Sequence, residues 1–124
     1  MPLQILTEIR NVAHFAEILK TNPGIIIIKF GAEWCGPCKQ IERLVFDSFS
    51  RMPNNVQCFI IDVDICFDIY SFLKTKKMLN GIPALLCYYK ENINYIPDDS
   101  VIGANVPQLN MFFQRCYNKS QTYN

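Results

Sequence analysis

The sequence predicts an α/β chain, a mixed sheet of about five strands flanked by four helices, on three observations. The run Ile25-Ile26-Ile27-Ile28-Lys29-Phe30-Gly31 is mostly β-branched and apolar at nearly every position, as a strand buried on both faces would be. Strand-like stretches alternate with stretches of helical apolar spacing, in the order β-α-β-α-β-α-β-β-α. Turn clusters at Thr21-Asn22-Pro23-Gly24 and Met52-Pro53-Asn54-Asn55 separate them. No repeat or linker divides the chain, so a single domain over 1–124 is expected.

Each element has its own justification. Leu3 to Thr7 is a candidate first strand. Asn11 is a candidate N-cap for a helix with Val12, Phe15 and Leu19 on one face. Ile25 to Gly31 is the central strand. From Cys38 the apolar positions Ile41, Leu44, Val45 and Phe49 follow helical spacing. Val56 to Val63 reads as a second buried strand, and Phe67 to Leu79 as a helix with Ile69, Phe72 and Leu73 inward. Ala84 to Tyr89 is a strand, with Tyr88 and Tyr89 pointing to opposite faces. Asn94 to Ile102 returns beside it, and Pro97 places that partner at an edge or bulge. Pro107 suits the first turn of a last helix carrying Leu109, Phe112, Phe113 and Cys116.

Composition narrows the function. Lys and Arg number 12 against 11 Asp and Glu, without the clustered basic excess of a nucleic-acid binder. The longest aliphatic run, Ile25 to Ile28, falls far short of the ~20 residues that span a bilayer. No secretory signal is visible at the start, so a reducing, cytoplasmic home is expected. Six cysteines then need an account other than a secreted disulfide scaffold. Cys58, Cys66, Cys87 and Cys116 lie in stretches that read as strand or helix and are expected to be core or surface thiols, free cysteine behaving as a small hydrophobe.

Cys35 and Cys38 differ from the rest by their spacing. Two cysteines three apart at the opening of a helix are close enough to bridge. Unpaired N–H groups at a helix start favour an anion, and the thiolate is the nucleophilic form of cysteine. Cys35 is therefore expected to be acidic and partly exposed, while Cys38 faces inward. A zinc site would need two further ligands at short spacing, and His14 stands alone, so no metal is expected. Lys39 stands where haem attachment would need histidine.

The block Phe30-Gly31-Ala32-Glu33-Trp34-Cys35-Gly36-Pro37-Cys38-Lys39 resembles the active-site signature of the thioredoxin family. Ile61-Asp62-Val63-Asp64, Gly81-Ile82-Pro83-Ala84 and Gly103-Ala104-Asn105 resemble that family's later segments, in the same order. The resemblance implies the thioredoxin fold and a protein disulfide reductase, with Cys35 attacking and Cys38 resolving. It implies that Pro37 keeps the pair reducing, with Gly36 between the cysteines and Lys39 beside them. It also implies that Trp34 shields the pair and borders a substrate groove. Pro83 would follow a cis bond, leaving the Ile82 backbone free for an extended substrate, and Gly103 would leave that substrate room. No bound cofactor is expected beyond the Cys35–Cys38 disulfide. The implied partners are disulfide-containing proteins and a thioredoxin-reductase-like or dithiol electron donor, with no nucleic acid or membrane and a monomeric chain.

The sequence departs from the family at two places. Lys29 stands where thioredoxins commonly bury an Asp that helps deprotonate the resolving cysteine, and Ile60 stands where a lysine often pairs with that Asp. Either Lys29 favours the thiolates and makes the disulfide easier to reduce, or it sends its ammonium to solvent and fills space. In the first case Cys38 needs water, Glu33 or a lysine of lowered pKa as its base. The segment from the third helix to Pro83 and the hairpin from Tyr89 to Gly103 are also long. Two other functions stay open: a more oxidising thiol oxidase or isomerase, and a binding module that uses the cysteines as a clasp. Lys74, Lys76 and Lys77 read as a solvated basic turn, and Asp98 and Asp99 as loop solvation.

Overall fold

The computed structural model describes residues 2–124. Its elements are α1 Val12–Lys20, β1 Ile25–Gly31, α2 Gly36–Gln40, α3 Glu42–Ser50, β2 Val56–Asp62, α4 Phe67–Thr75, β3 Ala84–Tyr89, β4 Asp99–Ile102 and α5 Val106–Gln121. The sheet has four strands in the order β2-β1-β3-β4, with β1 parallel to β2 and antiparallel to β3. β1 is central and buried at all seven positions, which is why its sequence carries almost no polar residue.

Alternation along the strands makes two cores. On one face Ile26, Ile28 and Phe30 meet Phe15 and Leu19 of α1 and Ile69 and Leu73 of α4. On the other, Ile25 and Ile27 meet Val45 and Phe49 of α3 and Leu109, Phe112 and Phe113 of α5. Asn11 caps α1 by accepting the His14 N–H at 2.8 Å, and Asn105 caps α5 from the Gln108 N–H at 3.0 Å.

The structure corrects several expectations. Leu3 to Thr7 is not a strand: Leu6 forms one isolated parallel bridge to Phe59, so the sheet has four strands instead of five. The helix after Cys38 is divided at Ile41, giving five helices, because the Ile41 N–H turns to the Lys39 carbonyl as its side chain sinks into the core. α4 ends at Thr75 and does not reach Leu79. Lys77 adopts φ 64°, and bonds from Lys77 N–H to Lys74 O and Met78 N–H to Leu73 O close the helix in a Schellman pattern.

The last strand covers only Asp99–Ile102, at the sheet edge. The residues before it turn on Asn92 and Asn94, whose side chains accept the N–H groups of Asn94 and Ile96. Asp98 and Asp99 are structural as well as solvated. Asp98 accepts the Tyr89 N–H at 2.7 Å, and Asp99 holds Arg115 through two hydrogen bonds. The two long segments pack together: Phe72 meets Tyr95 edge to face at 5.5 Å, with the Lys76 ammonium over both rings.

Candidate active site

β1 delivers the site. Its carboxyl end runs from Gly31 through a tight turn into α2, and Cys35 is the N-cap of that helix. Cys35 and Cys38 are joined as a disulfide, with Cα atoms 5.2 Å apart. The Cys38 N–H points at Cys35 Sγ at 3.2 Å, so the cap is made by sulfur where a serine or aspartate oxygen would ordinarily serve. Pro37 occupies the first turn, where its missing N–H costs nothing. The expectation of a partly exposed Cys35 is corrected. Bonded to Cys38 and folded over the helix end, Cys35 is only 4% exposed, and Cys38 is 2% exposed.

Around the pair stand the other residues singled out from sequence. Trp34 is 70% exposed, and its indole N–H donates to Asp64 at 2.8 Å. Gly36 has open space where a Cβ would stand. The Ile82–Pro83 peptide is cis. The Ile82 N–H and C=O make no hydrogen bond among the described residues. Gly103 adopts φ 90°, a backbone state that disfavours any other residue, and donates its N–H to the Pro83 carbonyl at 2.8 Å. That bond ties the loop before α5 to the cis-proline segment.

Lys29 lies under the pair and is 7% exposed. Burial lowers its pKa from the ordinary 10.5, while the Glu42 and Asp62 carboxylates pull it back up. A Cβ on Gly31 would sit 2.8 Å from Lys29 Nζ and 3.3 Å from Cys38 Sγ, so only glycine leaves the gap the two side chains share. A cleft of about 760 Å³ runs from this gap past Lys39, Glu42, Glu33, Asp62 and Glu8 to solvent.

Sequence reasoning did not give Asp64, Asp62 or Glu42 a role. Asp64 anchors Trp34, while Asp62 turns the chain after β2 by accepting the Asp64 and Ile65 N–H groups. Glu42 sits one turn beyond Cys38, a spacing that could have flagged it. The four remaining cysteines are unpaired and buried, as a packing role requires. Among the described residues, no group of three or more His, Cys, Asp or Glu side chains is placed to hold a metal. None of the described helices is long and apolar enough to cross a membrane.

A vicinal cysteine pair at a helix start, beside a cis-proline loop and at the carboxyl end of a central strand, defines a dithiol–disulfide exchange protein. The thioredoxin family model matches residues 6–114. A thioredoxin of Coprinus comatus is 34% identical over 110 residues, covering 86% of this chain and 93% of its own. Thioredoxin 3 of Plasmodium falciparum (isolate 3D7) is 28% identical over 119 residues, covering 94% of this chain and 63% of its own. The oxidised mitochondrial thioredoxin 3 of Saccharomyces cerevisiae superposes with a TM-score of 0.70 at 25% identity, covering 89% and 94% of the two chains. The chain belongs to the thioredoxin family and is a thiol–disulfide oxidoreductase.

Proposed function

We propose that the protein works in the reducing direction, opening disulfides of other proteins. In the dithiol form Cys35 attacks a substrate sulfur; a mixed disulfide forms and the second substrate sulfur leaves as a thiolate. Cys38 then attacks Cys35, the Cys35–Cys38 bond re-forms, and the substrate leaves reduced. The observation that carries this reading is the Cys35–Cys38 pair at the start of α2, with Cys35 as N-cap.

Trp34 and the Ile82–Gly103 region border the groove for an extended substrate segment, whose backbone pairs with the unbonded Ile82 N–H and C=O. An external reductase or dithiol protein restores the dithiol, and no bound cofactor takes part. Four buried, unpaired cysteines suit a reducing compartment such as the cytoplasm, and the protein acts as a monomer.

Insulin reduction driven by dithiothreitol tests this. The wild type accelerates precipitation of the freed chain, Cys35→Ser does not, and equal rates would refute the reading. One observation favours a more oxidising variant of the same chemistry: a lysine lies in reach of Cys38. Equilibration with glutathione separates the two by the reduction potential.

A further inference from the structure

We propose that Lys29 is the proton acceptor that turns Cys38 from thiol into resolving thiolate. The inference rests on the exchange reaction above and assigns the base for its second half.

Geometry carries it. A lysine at the end of a central strand is 7% exposed, yet it forms no ion pair or hydrogen bond among the described residues. Its stem passes beneath Gly31, whose lack of a Cβ leaves one gap for both Nζ and Cys38 Sγ. The two atoms lie 2.8 Å and 3.3 Å from a single point, so they cannot be further apart than those distances together.

The same gap opens into the cleft, which gives a transferred proton a way out to water. Charged groups face it from each neighbouring element: Lys39 from α2, Glu42 from α3, Asp62 from the end of β2, Glu33 from the turn and Glu8 from the amino-terminal segment. β3 supplies only apolar Leu85, the register partner of Lys29. Desolvation therefore acts on Lys29 with the carboxylates opposing it, and the neutral amine becomes more accessible than for a surface lysine.

The step balances. In the mixed disulfide, the Lys29 amine takes the proton of the Cys38 thiol and becomes an ammonium beside a thiolate. The thiolate attacks Cys35 Sγ; the Cys35–Cys38 bond forms and the bond from Cys35 to the substrate breaks. The electron pair of that bond leaves with the substrate sulfur, which takes up a proton from the cleft. Lys29 returns to its starting state by releasing its proton along the same route.

The test separates the two half-reactions. Full-length reduced protein reacts with a disulfide peptide, and acid quenching followed by mass spectrometry gives the rates of capture at Cys35 and of release. In Lys29→Met the ratio of release to capture is expected to fall about tenfold or more near neutral pH. The rise of release with pH that reports the Lys29–Cys38 couple is expected to vanish. Lys29→Arg keeps a cation that does not deprotonate at these pH values, so it loses the same pH dependence. A release ratio and pH profile in Lys29→Met equal to those of the wild type overturn the proposal. A wild type that never captures peptide overturns the exchange reading instead. A measurement without substitution is the NMR titration of Lys29 in the oxidised and reduced proteins. A pKa that changes with redox state is expected, and an identical pKa in both overturns the coupling.

Discussion

Cys35 and Cys38 stand at the carboxyl end of β1, at a helix start and over a solvent-connected cleft. Cys58 and Cys87 stand in the middle of the same sheet, and Cys116 of α5 packs into the same core above them. Cys58 and Cys87 are both register partners of Ile27, so they share its face. Burial pushes the Cys58 thiol well above its ordinary pKa. Contact with the Cys116 thiol, followed by burial, does the same to Cys87. One functional group thus takes two roles in one chain. At the strand end, backbone donors and a route to water support an anion; at mid-sheet, an anion would have neither, and sulfur only fills space.

The first way to break that comparison is labelling. With the protein reduced but folded, alkylation at pH 8 is expected to modify Cys35 about 10³-fold faster than Cys58, Cys87 or Cys116. Mass spectrometry of the digested protein reads the sites, and comparable labelling at Cys87 would abolish the distinction. A stability measurement sharpens it. Cys87→Ser puts a hydroxyl into an apolar layer and is expected to cost about 1–3 kcal/mol in urea denaturation.

Lys29 connects the two environments, being buried like the core thiols and open to the cleft like the active pair. Its folded pKa is lowered, so between that value and the ordinary 10.5 the unfolded chain holds more protons, and stability should rise with pH there. Lys29→Met is expected to flatten that rise, leaving stability nearly independent of pH across that window. An unchanged pH profile of denaturation would show that Lys29 makes no such contribution. The smallest effect belongs to the edge strand. Arg115→Ala removes a partly exposed two-bond contact with Asp99 and should cost no more than about 1 kcal/mol.

The sheet's interior was legible in the sequence because its causes are local. Ile25 to Gly31 reads as a doubly buried strand, and the cap at Asn11 acts within three residues. The misread elements turn on a single distant pairing or on a backbone turn that the residue type does not announce. Leu6 pairs with β2 at one position only, opposite Phe59, too little to make a strand. The end of α4 depends on a left-handed Lys77, where the residue type gives no warning. At the site, the cysteine pair was visible from spacing. The Trp34–Asp64 bond and the gap shared by Lys29, Gly31 and Cys38 appear only when strand, turn and helix are assembled.

The central claim is that Cys35 forms a covalent bond to substrate and Cys38 breaks it. It is tested most directly by treating reduced Cys38→Ser protein with a disulfide-linked peptide and weighing the product. One peptide should be retained per chain, attached at Cys35 and stable until dithiothreitol is added. A Cys38→Ser chain that keeps its native mass, or that carries the peptide on a different cysteine, would contradict the account.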